Sequence, residues 1–442
     1  MNLETKLSKF FFGYGLAFFP LLLLIGPLVA EVFLTLSIIF FLFFAIKEKR
    51  SLFYENRFLI FFSLFYLSTL YSTLSNFYNL DMVINGIFYF RIPLFAFSIW
   101  FILERFNFFN KQIIFLYVIF LFVIIFDSLF QYYYGKNLLG NEILVGRVSS
   151  FFGDELILGG FMLRTLPIFL IYLIMNDALN DNKSSIFYAI LISFVCFIIY
   201  LSGERTSFAL LILFLVTIFF STKYLKKFIT IIVLTFLVLS TVLQLKNTNP
   251  DNPASRMFQK TYNQILGMGA KDVAQDKKKF FNKIYIFSRE HHGHYVLSFK
   301  IFNDHIFFGT GTKGFRYLCR NKIYILENLV EYFDGSSSTN DGCSTHPHNT
   351  YVQILVSNGV VGFLLLILAF SYIIKEIFLS RKKILSSSRF DKNEISKLIA
   401  ISAIFINIWP LIPSGNFFNN WLSMFYFYPI GFYLYFKHKH EN

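Results

Sequence analysis

The chain has 442 residues, of which 56% are hydrophobic, 21% aromatic and only 15% charged, with phenylalanine occurring 63 times. Such a composition excludes an ordinary soluble domain and points to an integral membrane protein. The formal net charge of +14 raises nucleic acid as a partner, but most basic residues sit in short loops between apolar runs, where they encode orientation, so no nucleic-acid binding is expected.

A spanning helix needs roughly 20 mostly apolar residues. Runs of that kind lie at about 10–26, 29–46, 58–74, 83–103, 112–130, 156–175, 186–201, 207–222, 228–245, 358–378, 398–412 and 416–436. They predict an all-α polytopic bundle of about 12 transmembrane helices, without the alternating strands of a barrel. The first run follows Lys6 and Lys9 but precedes no small-residue cleavage pattern, so it reads as a retained helix rather than a signal peptide. With the N-terminus in the cytoplasm, the cytoplasmic loops carry Lys47, Lys49, Arg50 and Arg57, then Arg105 and Lys111, then Lys223, Lys226 and Lys227, then Arg381, Lys382 and Lys383. The short loops on the other side hold Lys136, Arg147 and Arg205. The positive-inside rule therefore predicts both termini inside. Residues 1–245 form the first nine helices, 246–349 a large external loop, and 350–442 the last three helices and a cytoplasmic tail.

Every unusual motif then falls on the external side. These are QYYYGKNLLGNEILVGRVSSFFGDE (131–155), SGERT (202–206) and the stretch from Lys246 to His348. A transporter is expected to scatter ionisable groups near the bilayer midplane instead. The hundred-residue loop is too long for an idle connection and is expected to fold over the bundle. It opens with the turn-rich NTNPDNPAS, continues through the basic KDVAQDKKKF, and contains HYVLSFKIFND, whose helical apolar spacing suits a helix lying on the membrane surface. FFGTGTKGF follows as a glycine-rich turn. Cys196 lies inside an apolar run as a packing residue. Cys319 and Cys343 lie in the external loop, where an oxidising compartment lets them pair and close ENLVEYFDGSSSTNDG just before His348.

Three side chains stand out for chemistry. Arg205 occupies a helix–helix corner at the membrane edge, where it either faces an anion or snorkels to lipid headgroups. Arg289, in FSREHHGHY, precedes the amphipathic stretch; a lone Arg in a polar loop is otherwise only a solvated charge. His348, in the HPHN turn directly above an apolar helix, has an ordinary pKa of about 6.5 and exchanges protons near neutrality. His291, His292, His294, His346 and His348 share the loop with two cysteines, but their spacing matches no common zinc pattern, so no metal and no cofactor is expected. Arg91 and Arg164 lie within apolar runs and must face the interior or snorkel. Two guanidiniums and a histidine suit an anionic lipid-linked substrate: the former hold a diphosphate and stabilise it as a leaving group, the latter takes a proton from an attacking hydroxyl.

At these residues the chain resembles the O-antigen ligase and polymerase superfamily of bacterial membrane proteins. The ligase pattern of His, then Asn, Ser or Gln, nine residues and Gly-x-x-Gly reads here as His348, Asn349, residues 350–358, Gly359 and Gly362. SGERT resembles the first arginine segment of the family, giving Arg205, and FSREHHGHYVLSFKIFNDHIFFGTGTKGF its second, giving Arg289. The segment with Asp127, Gln131, Arg147 and Gly153 is similar as well, so the resemblance covers about residues 120–365. One departure is that His305 stands near the place where the family turn carries Pro. The resemblance implies a GT-C-like fold with a large periplasmic loop, and metal-independent glycan transfer at the periplasmic face of the inner membrane. The donor is then a glycan on undecaprenyl diphosphate, and the acceptor a lipid A-core hydroxyl in a ligase or another lipid-linked glycan in a polymerase. His348, Arg205 and Arg289 are the expected catalytic residues, with Asn349, Arg147, Lys313 and Arg316 contacting substrate. A lipid-linked-glycan flippase and a silent scaffold are the readings from other classes. The flippase leaves the external loop without a job, and the scaffold tolerates loss of His348.

Overall fold

The computed structural model describes residues 3–48, 56–246, 257–258, 261–262, 287, 289–325 and 342–439, the side chains of 3–5, 244–246 and 289–290 excepted. NTNPDNPAS, KDVAQDKKKF and nearly all of ENLVEYFDGSSSTNDG lie outside these residues, as does the side chain of Arg289.

The chain is all-α. In order the helices are α1 (Leu3–Ala17), α2 (Phe19–Ile25), α3 (Pro27–Lys47), α4 (Arg57–Ser75), α5 (Leu80–Ile87), α6 (Arg91–Phe106), α7 (Lys111–Tyr134), α8 (Leu158–Met175) and α9 (Asn182–Leu201). Then come α10 (Arg205–Ser221), α11 (Lys226–Lys246), α12 (Arg289–Asp304), α13 (Gly314–Leu318), α14 (Thr350–Ser386), α15 (Lys392–Asn407) and α16 (Asn420–His438). Among the described residues, eight helices are long and apolar enough to cross a membrane, counting α5 and α6 together, and the bent α1–α2 pair makes a ninth. The remaining apolar runs fold as α10, α15 and α16.

Two runs that look continuous in sequence are not straight. Pro20 sits in the first turn of α2, where its missing N–H costs least, and α1 and α2 meet at 72°. The run expected to begin at 358 starts at Thr350 and is interrupted at Gly359, whose φ of +64° is not helical. Ahead of the break Gln353, Ser357 and Asn358 are buried, and polar residues of this kind obscure an apolar run.

The bundle is packed largely by aromatic rings, with Trp100, Tyr117, Tyr172 and Tyr428 fully buried. α16 lies against α6 and α15, and α15 also touches α8, α10 and α14. Gly431 lets α16 approach α6 closely: a Cβ there would stand 2.4 Å from the Ile99 Cβ. The intramembrane Arg91 is neutralised by Glu31 at 2.8 Å, so it serves packing of α6 on α3. A smaller core of Leu297, Ile301, Phe315, Leu318 and Val356 fastens α12 and α13 to the start of α14.

Candidate functional site

The site is built where the N-termini of α8, α10, α14 and α16 gather. Arg164, six residues into α8, stacks over the ring of Tyr426, six residues into α16, so those two helices begin at one level. Phe417, just before α16, donates its N–H to Gln353 near the start of α14. Glu204, just before α10, accepts from the backbone N–H groups of Gly159 at 2.7 Å and Gly160 at 3.0 Å in the first turn of α8. These links put Arg205 and His348 at the same end of the bundle.

His348 is held by both its backbone and its neighbours. It adopts φ +57°, a left-handed conformation that strains a non-glycine residue by roughly 1–2 kcal/mol. Its carbonyl accepts from Ser414 N at 2.9 Å. Asn349 caps α14, accepting from Tyr351 and Val352 N–H groups, while its amide donates to Pro410 O at 2.9 Å. With both ends of its carboxamide engaged, Asn349 fixes the turn that presents His348. The Ser344 hydroxyl lies 3.2 Å from His348 Nε2, and the rings of His346, His294 and His291 surround the imidazole at 3.9, 5.2 and 5.5 Å between centroids. Burial, reinforced by His294 and His291, pushes His348 down to about 4, and burial together with His348 pushes His346 down to about 3. Both rings are therefore neutral at pH 7, and a neutral imidazole accepts a proton. Among the described residues, no three His, Cys, Asp or Glu side chains are arranged to hold a metal ion.

Gly359 anchors the other side of the same helix start. Its break leaves backbone groups of α14 without helical partners, and the glycine-rich turn supplies them. Thr310 N donates to Val356 O and Gly311 N to Ser357 O, each at 2.8 Å, while Val360 N donates to Ile306 O at 2.8 Å. From α4, Ser72 Oγ donates to Ser357 O at 2.5 Å, and Asn76 Nδ2 to Gly309 O at 3.0 Å. The turn thereby sets α13, whose Arg316 carries a buried Nε with no hydrogen-bond partner among the described residues. Its charge is one of the influences that depress His346, after burial and His348. Lys313 instead pairs with Asp81 at 2.6 Å. A disulfide joins Cys319 at the end of α13 to Cys343, across 5.1 Å between Cα atoms. His294 Nδ1 lies 2.8 Å from Gly342 O beside it.

Arg147 is committed within the protein. Its Nε donates to Ser202 O at 2.9 Å, one terminal nitrogen donates to Leu156 O at 2.7 Å, and Glu204 lies 3.6 Å away. It ties the 135–157 loop to the SGERT corner. That loop is itself folded around the end of α7: Asp127 accepts from Leu138 N and Ser150 Oγ, and Gln131 accepts from Ser149 N and Ser150 N. Burial raises the carboxyl pKa of Glu204, against Ser207, Arg147 and the two glycine N–H groups that hold its charge. Arg205, the next residue, opens α10 on the exposed side of this corner, with Thr261 Oγ1 3.4 Å from its Nη1. The backbone of Arg289 opens α12, the helix that carries His291 and His294 to His348.

Sequence reasoning missed Glu204 and Ser344, and it weighed His294 only as a metal ligand. Glu204 is printed inside SGERT, and its meaning becomes visible only beside Gly159 and Gly160.

Residues 188–367 match the family model described as O-antigen ligase. No curated protein matches the chain.

Proposed function

Residues 188–367 make this chain a member of the O-antigen ligase-related superfamily, and from that premise we propose that it is a glycan ligase working on the periplasmic face of the bacterial inner membrane. The family acts as membrane glycosyltransferase-like enzymes on a lipid-linked glycan and a glycan acceptor. Our reading takes the donor as a glycan on undecaprenyl diphosphate and the acceptor as a hydroxyl of the lipid A core. The observation that carries it is His348, neutral, strained and fixed at the start of α14 within the ligase-type spacing to Gly359 and Gly362.

In the proposed reaction the acceptor oxygen attacks the anomeric carbon while the bond from that carbon to the diphosphate oxygen breaks. The acceptor proton passes to the His348 imidazole, and the negative charge gathers on the departing undecaprenyl diphosphate. Arg205 and Arg289 hold that diphosphate, and Arg316 adds a cation from α13. Lys313 reaches substrate on leaving Asp81, whereas Asn349 and Arg147 act by position, on His348 and on the SGERT corner. In this reading guanidinium charge takes the place of a metal ion, so activity should survive chelation.

The test is the lipopolysaccharide ladder and the undecaprenyl-linked pool in a deletion host complemented with wild type or with alanine at His348, Arg205 or Arg289. A ligase leaves uncapped core and long glycan on the carrier in the deletion, and normally abundant His348→Ala protein does not rescue it. A core bearing a single repeat makes the chain a polymerase. An unchanged ladder, or full rescue by all three alanine variants, defeats the assignment.

A further inference from the structure

A cavity of about 860 Å³ lies between α4, α14, α15 and α16, within the size range of ligand sites. Its walls are apolar, with Phe62, Phe65, Ile404 and Ile430 among them. One end reaches Ile408 and Phe417, beneath the His348 turn; the other is lined by Arg57, Lys375 and Lys437. Arg57 precedes Ser72 on α4 by 15 residues, about 22 Å of helix, so the basic mouth lies at the opposite end of the bundle from the Ser72–Ser357 contact. Lys437 is held in place: its Nζ donates to Tyr372 Oη at 2.6 Å, and the hydroxyls of Tyr372 and Tyr433 are 2.7 Å apart. Among the described residues no carboxylate forms an ion pair with Arg57, Lys375 or Lys437.

The buried Glu376 carboxylate meets the Tyr433 hydroxyl behind this mouth, which leaves three cations against one carboxylate among the described residues. An apolar chamber with a net cationic mouth matches one kind of molecule. We propose that it binds an anionic glycerophospholipid from the leaflet opposite His348, the phosphate on Arg57, Lys375 and Lys437 and an acyl chain between the Phe62 and Ile404 walls. Zwitterionic lipid offers the same chains without net charge, so the mouth discriminates between headgroups. The site is separate from the glycan reaction, and its test uses no transfer assay.

Purified full-length protein is titrated with palmitoyl-oleoyl phosphatidylglycerol or phosphatidylethanolamine and read by native mass spectrometry. A phosphatidylglycerol carrying a diazirine on one acyl chain is crosslinked in parallel. Wild type should retain phosphatidylglycerol preferentially, the double variant R57Q/K437Q should bind it about thirtyfold more weakly, and crosslinks should map to α14 and α15 at the cavity. Ala369→Trp, which fills the cavity and leaves the charges, should remove those crosslinks, so the proposal stays testable if the double variant does not fold. Equal retention of both lipids by wild type, unchanged binding in the double variant, or crosslinks confined to the outer face of the bundle would overturn it.

Discussion

Gly309 and Gly359 pack backbone against backbone: a Cβ on Gly309 would stand 2.5 Å from the amide nitrogen of Gly359, and one on Gly359 would stand 2.2 Å from Phe307 O. Neither obstacle is the end of a flexible side chain. Both residues also have positive φ, +71° and +64°. The contact therefore admits only glycine on either side.

Gly359→Ala should consequently uncouple the turn from α14. Left-handed strain alone costs roughly 1–2 kcal/mol, before the displacement of Phe307. The expected result is membrane-inserted protein with a lowered thermal midpoint and at least about tenfold less glycan transfer. Unaltered melting of the purified variant would contradict it.

The depressed His348 sets the pH behaviour of the site. Its base form persists from neutrality down to about pH 4, so the acid limb of activity should lie below the ordinary histidine value of about 6.5. His291→Asn or His294→Asn removes a neighbour that disfavours the imidazolium and should move that limb upward, by less than the whole depression because burial is the larger cause. Stability follows the same sign. Between about 6.5 and 4 the unfolded chain binds the proton that folded His348 refuses, so stability contributed by this region is present above that window and lost as pH falls through it. Activity profiles and thermal melts from pH 4 to 8 check both.

Reduction of Cys319–Cys343 should loosen the histidine turn more than the bundle. The bridge closes a loop of 24 residues, for which chain entropy gives about 3 kcal/mol. Cys343→Ser should give protease cleavage between α13 and His348 at concentrations that spare wild type, with transfer reduced and the remaining helices protected.

Glu204 is expected to behave as a positioning residue. Glu204→Ala removes the acceptor for Gly159 and Gly160 and the carboxylate beside Arg147, a loss on the order of 3 kcal/mol for a buried charged partner. Glu204→Gln keeps the shape and one acceptor. Recovery of folding in Gln but not in Ala, with donor KM affected more than kcat in the surviving protein, is the outcome that distinguishes this role from direct chemistry.

Much of this was legible in the chain. The apolar runs are largely helical, two of them split between successive helices (α1–α2 and α5–α6), because long apolar segments leave the backbone few other ways to satisfy its hydrogen bonds in lipid. His348, Gly359 and Arg205 could be singled out from local spacing. What local spacing lacks is the partner. Gly359 needs Gly309, 50 positions earlier in the chain, and Glu204 needs the first turn of α8. Arg147 reads as a ligand for substrate until Ser202 O and Leu156 O are seen on its guanidinium. Arg91 likewise reads as a free intramembrane charge until Glu31 is placed beside it.

The loop after α7 is bound on two sides: Asp127 and Gln131 fold it from α7, and its own Arg147 fastens it to the SGERT corner that begins α10. Residues 127–207 thus contain both halves of each of these fastenings. A hybrid between relatives that joins the parents at Tyr134 or at Gly153 separates a donor from its acceptor and inherits half a fastening. Junctions placed before Asp127 and after Ser207 transplant the corner whole, and with it the setting of Arg205.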